Sequence, residues 1–93
     1  MTEQNTTSAL PEYPKLNRLF RLQWEEAQQA YVLLYPEGMV KLNVSAAEIL
    51  KRCDGAHTVD ALIAELEAAF GETNLRDPIE GMLRAAFDKD WIQ

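Results

Sequence analysis

The chain has 93 residues, 47% of them hydrophobic, and its 15 acidic and 9 basic residues give a net charge of −6. That length suits one domain, and the apolar share is too high for a disordered chain. No apolar run approaches the roughly 20 residues that cross a bilayer, and an acidic chain whose basic residues are scattered repels a phosphate backbone.

Residues 1–13 (MTEQNTTSALPEY) are polar and without period, which predicts a flexible tail ahead of a folded domain over residues 14–93. Pro11 and Pro14 mark an extended lead-in. From Leu19 the period is two, with Phe20, Leu22 and Trp24 alternating with Leu19, Arg21 and Gln23, the pattern of a half-buried strand. A turn at Glu25 and Glu26 leads into residues 28–35 (QQAYVLLY), a run dense enough in apolar residues to be covered on both faces. Pro36-Glu37-Gly38 supplies turn chemistry. A third strand follows, with Val40, Leu42 and Val44 on one face and Met39, Lys41 and Asn43 on the other. Short connections make the three strands an antiparallel meander with the second in the centre.

The period then becomes helical. Ser45 and Glu48 read as a capping box before an apolar face of Ala46, Ile49, Leu50 and Cys53, with Lys51 and Arg52 in the last turn. Asp54-Gly55 ends that helix. Thr58 caps a second, with Val59, Leu62, Ile63, Leu66 and Phe70 inward and Gly71 at its end. Asp77-Pro78 reads as the start of a third, with Ile79, Met82, Leu83, Ala86 and Phe87 as its stripe. Trp91 and Ile92 close the chain as an apolar clamp. The order β-β-β-α-α-α predicts an α+β domain, a helical layer on one face of a small sheet; a winged helix-turn-helix fits the same elements.

Catalytic chemistry is hard to find. Cys53 and His57 are separated by the helix-breaking Asp54-Gly55, so they do not share a helical face, and no orienting third group accompanies them. One cysteine and one histidine cannot make a zinc site. The 4 glycines form no phosphate loop. We expect no enzyme, no metal and no cofactor. A single cysteine and a polar start without a signal pattern predict a cytoplasmic protein with no membrane partner.

A winged-helix DNA-binding regulator is the alternative to a peptide-binding module. Arg76 and Arg84 lie on the outer side of the third helix, but Glu80 and Asp88 alternate with them, which suits i,i+4 pairing and disfavours nucleic acid. The third strand is an unpaired edge carrying one charge, Lys41. Such an edge is either guarded by that charge and its own shortness, or used as a template for an incoming strand, and the residues alone leave both open. Gly81, in mid-helix at a cost of about 1 kcal/mol relative to alanine, either lies exposed or makes room for a neighbour.

The stretch LLYPEGMVKLNVSAAEIL (residues 33–50), with Cys53-Asp54-Gly55, the earlier FRLQWEEAQ (residues 20–28) and the closing Trp91-Ile92, resembles the PqqD family of pyrroloquinoline quinone (PQQ) biosynthesis over residues 14–92. The resemblance implies a recognition element for ribosomally made precursor peptides, one that binds PqqA and presents it to the radical S-adenosylmethionine enzyme PqqE. It implies docking of the peptide as an added strand at Gly38, Met39, Val40, Lys41, Leu42 and Asn43. Glu80, Leu83, Arg84 and Phe87 would then line the groove from the third helix, with Lys41 and Arg84 as partners for acidic peptide residues. Two departures from the family pattern are Gly81, where a bulkier apolar residue is common, and Asp90, where many relatives have glycine. A monomer or a domain-swapped homodimer is compatible with the open edge.

Overall fold

The period-two stretches become strands β1 (Arg21–Glu25), β2 (Ala30–Tyr35) and β3 (Gly38–Lys41). They form an antiparallel sheet in the order β1-β2-β3, with β2 central as expected. A computed structural model describes residues 10–93, so most of the expected tail lies outside the described residues. The register sets Leu33 between Leu22 and Val40 on one face, and pairs Leu34 with Met39 and Val32 with Lys41 on the other. Val32 and Leu33 are both fully buried while pointing to opposite sides. The centre of β2 is therefore covered on both faces.

Several strand boundaries differ from the sequence reading: β1 starts at Arg21 rather than Leu19 and includes Glu25, and β3 ends at Lys41, before Leu42 and Asn43. Gln28 and Gln29 belong to the turn before β2: Gln29 takes a left-handed φ of 51°, and its backbone and side-chain nitrogens both donate to the Glu26 carbonyl, at 3.2 and 2.9 Å. That conformation cannot continue a strand. Val44 is not a strand residue either; it starts the first helix and is 73% exposed.

Helix α1 (Val44–Lys51) is capped by Asn43, not by Ser45: the Asn43 side chain accepts from the Ala46 N–H at 2.8 Å. Asn is as good a cap as Ser, and the chain leaving β3 reaches it first. Glu48 is then free to pair with Lys51 and Arg52, at 3.0 and 2.9 Å. Helix α2 (Val59–Phe70) starts and ends where expected, with Thr58 accepting from the Ala61 N–H and Gly71 left-handed at φ 66°. Its Phe70 is 38% exposed, at the rim rather than inward.

Helix α3 (Arg76–Asp88) begins one residue before the expected Asp77 cap. The Glu67 carboxylate accepts the Leu75 N–H at 3.0 Å and Arg76 bridges Asp60 and Glu80, so tertiary partners hold the first turn. Pro78 still lies in that turn, where no intrahelical donor is lost. At the other end, Asp90 is left-handed at φ 64°, its N–H donates to Phe87 O, and the Trp91 N–H donates to Ala86 O. This is a Schellman closure with aspartate where glycine fits best, which gives the Asp90 departure a backbone meaning.

The helices and the inner sheet face enclose Leu33, Leu50, Leu62, Leu66, Leu83 and Ile92, each at most 2% exposed. Burying each such side chain contributes about 1.5–3 kcal/mol. The chain ends join this core. Leu16 bridges Ile92 and Lys15 bridges Asp54, so the lead-in segment and the C-terminus are tied as a short antiparallel ladder. Leu10 also packs against the core, ahead of the expected start of the domain.

Candidate functional site

The open edge of β3 follows from the hydrogen-bond parity of the sheet. The Leu42 N–H donates to Tyr31 O at 2.9 Å, and antiparallel pairs alternate between bonded and non-bonded positions. Leu42, Val40 and Gly38 therefore turn their backbone groups toward β2. Met39 and Lys41 turn theirs outward. Each offers one N–H and one C=O to whatever lies beside β3.

Side chains alternate in the opposite sense. Val40 projects to the helical side, while Met39 and Lys41 stand on the outer face, with Met39 48% exposed. Two clefts are relevant here, one lined by Val40 of β3 and the other by no β3 residue. One, of about 540 Å³, lies among Phe20, Tyr35, Glu37, Val40, Lys89 and Trp91. The other, of about 550 Å³, lies where α1 starts, and its walls include Asn43, Ala46, Ile79 and Met82. Asn43 is bound to that place by its own cap.

The residues expected on α3 fall into different environments. Leu83 is fully buried in the core, and none of Glu80, Leu83, Arg84 and Phe87 lines either cleft. Phe87 and Met82 are half-buried against the core and offer apolar surface. Glu80 is held by Arg76 at 2.9 Å. Arg84 is exposed and, among the described residues, forms no ion pair, so the expected alternation of pairs along α3 is made only at its first turn. Gly81 is exposed and a Cβ there would meet no atom within 4 Å, which selects the solvent reading over close approach. Met82, Lys89 and Trp91 were not among the expected groove residues, although Met82 belongs to the apolar stripe and Trp91 to the expected clamp.

Three of the cations are paired within the fold. Arg52 binds Glu48 and Glu65, Lys51 binds Glu48, and Arg76 binds Asp60 and Glu80. Hydrogen bonds from Arg52 and then Lys51 hold the Glu48 carboxyl below its ordinary pKa. Lys41, Arg84 and Lys89 make no such pair among the described residues, and neither do Lys15, Arg18 and Arg21.

The Cys53–His57 pair does not form. The buried Cys53 thiol donates to Ile49 O at 3.4 Å, and burial pushes its pKa up to about 12, far from a reactive thiolate. His57 lies between Asp54 and Glu65, at 3.0 and 3.1 Å. Among the described residues no group of three or more His, Cys, Asp or Glu could hold a metal, and no helix is long and apolar enough to cross a membrane.

Comparison with known proteins gives this geometry a context. Residues 30–92 match the family model described as coenzyme PQQ synthesis protein D (PqqD). The PqqA binding protein of Methylococcus capsulatus is 44% identical over 79 residues, covering 85% of each chain. That of Acinetobacter baylyi is 50% identical over 80 residues, covering 85% of this chain and 81% of its own. The fold matches the solution NMR structure of the PqqD truncation of Methylobacterium extorquens PqqCD, described as a functional and stand-alone RiPP recognition element. The TM-score is 0.74 at 27% identity, over 94% of this chain and 97% of that one. These relatives are peptide-binding recognition elements rather than enzymes, and they lend no support to the DNA-binding alternative.

Proposed function

The chain belongs to the PqqD family, and on that premise we propose that it binds the precursor peptide PqqA as an added strand on β3 and presents it to the radical enzyme PqqE. The observation that carries this reading is the pair of outward-facing residues, Met39 and Lys41, on an edge whose Val40 lines a cleft with Lys89 and Trp91. Backbone pairing supplies affinity for an extended peptide whatever its sequence, and the cleft selects side chains. Gly38, Val40 and Leu42 brace the edge from β2. Asn43 fixes its exit into α1. Arg84 and Phe87 form the α3 side of the groove, Leu83 supports it from the core, and Glu80 stays with Arg76.

The relatives named PqqA binding proteins support the choice of ligand, and the match to a stand-alone recognition element supports a domain that works without catalysis. Presentation to PqqE rests on the family resemblance. The reading places the protein in the cytoplasm.

Titration of the 15N-labelled chain with synthetic PqqA tests the docking site. The amide shifts should concentrate on β3 and on Arg84 and Phe87 of α3. Shifts absent from β3 at saturating peptide would remove the proposal. For presentation, PqqE should retain PqqA on an affinity column more strongly when the chain is present; retention indifferent to it would argue against an adaptor.

A further inference from the structure

The outer face of the sheet, away from the helices, carries information that the groove does not. Across it the register lines up Arg21, Leu34 and Met39 in one row, and Gln23, Val32 and Lys41 in the next. At the β3 margin this face is apolar beside Met39 and cationic beside Lys41. Leu34 is half-buried behind Met39, and neither Lys41 nor Arg21 forms an ion pair among the described residues.

We propose that this outer margin is a second reading surface for the docked peptide, taking an apolar residue beside Met39 and an acidic residue beside Lys41, two positions apart. This rests on the reading of β3 as the docking edge. A strand added to an edge shares the pleat of its neighbour, so residues directly opposite Met39 and Lys41 put their side chains on the same face as those two. The residue between them points the other way, beside Val40 and toward the helical side. Backbone parity alone therefore fixes which ligand side chains reach which face.

The chemistry at each position follows from its neighbours. A side chain beside Met39 covers thioether and Leu34 surface that is otherwise wet, which favours an aliphatic or aromatic group. A side chain beside Lys41 meets an ammonium with no internal partner, which favours Asp or Glu; directly opposed opposite charges on a sheet attract, and like charges repel. The occupant is thus an extended segment of alternating exposure with an acidic residue and an apolar residue at i and i+2. Recognition by the groove alone would leave those two positions unrestricted.

The test is a charge-swap series by isothermal titration at low ionic strength, with the full chain and synthetic PqqA. Both β3 side chains are exposed at the sheet margin, so Lys41→Glu and Met39→Glu should unfold at the wild-type temperature. Lys41→Glu should weaken binding roughly fivefold. Among peptides with each acidic residue changed in turn to Lys, one should recover most of that loss. An apolar residue two positions from it, changed to Lys, should bind Met39→Glu better than it binds wild type. If Lys41→Glu leaves the affinity unchanged, or no single acidic residue rescues it, while β3 amides still shift on binding, the outer margin is not read and only the groove is. If β3 amides do not shift at all, the docking reading itself fails, and this inference with it.

Discussion

The Asn43 side-chain oxygen accepts a 2.8 Å hydrogen bond from the Ala46 N–H, so the residue that leaves the edge strand is also the one that opens α1. The β3 edge is thereby fastened to the helical layer at one end. Replacing Asn43 with Ala should cost about 1 kcal/mol in urea unfolding, the usual value of a lost N-cap. Ser45→Ala should stay within about 0.5 kcal/mol, as an exposed change outside the cap does. The reverse order would mean that the cap sits at Ser45.

Gly81 and Asp90, the two departures expected from the resemblance, sit in opposite backbone settings. Gly81 lies in an exposed helix interior with open space around it, so Gly81→Ala should stabilise the fold by up to about 1 kcal/mol. Asp90 occupies a left-handed closure, so Asp90→Gly should be neutral or stabilising by about 0.5 kcal/mol, while Asp90→Val should destabilise. Thermal unfolding of the three variants decides both points. A loss of stability in Gly81→Ala would show that something approaches α3 closely there.

His57 is held between Asp54 and Glu65, and its hydrogen bonds to the Asp54 and then the Glu65 carboxylate raise its pKa above the ordinary 6.5. A raised folded-state pKa contributes stability in full below the unfolded value, and that contribution disappears as pH rises through the folded value. The stability advantage of wild type over His57→Gln should therefore be larger at about pH 6 than at about pH 9. The two carboxylates, whose pKa values are lowered, act the other way: their part is lost as pH falls through their folded values. Denaturant curves across this range give the answer. An advantage that grows toward pH 9 would contradict the cluster.

Cys53 is buried, with its pKa pushed up to about 12. At neutral pH the native chain should react with a thiol-directed disulfide reagent only as fast as it unfolds, and at once in concentrated urea. Rapid labelling of the native protein would mean that the α1–α2 corner opens far more readily than its packing implies.

Much of this architecture was legible in the sequence. The switch from period two to a helical period located the sheet and the helical layer, and the chemistry of Thr58 and Gly71 gave both ends of α2. The other two helix starts were not legible, each for a physical reason. At α1, Asn43 and Ser45 compete within one turn, and the geometry of the strand exit decides between them. At α3, the Glu67 carboxylate reaches the Leu75 N–H across a loop, a contact that leaves no local trace. The bridges from Lys15 to Asp54 and from Leu16 to Ile92 are single long-range pairings without periodicity.

Of the candidate site, β3 followed from patterning and from the family resemblance. The α3 side did not resolve as fully, because a stripe assigns residues to a face but not to a depth. Leu83 and Phe87 share that stripe, yet one is fully buried and the other only half-buried.

The most direct test of the docking edge is amide hydrogen exchange on the free and PqqA-bound chain, followed residue by residue along β3. The Met39 and Lys41 N–H groups should exchange quickly in the free chain and become protected with bound peptide. Those of Val40 and Leu42, already bonded to β2, should change far less. Protection that rises equally at all four, or at none, would contradict an added strand on β3.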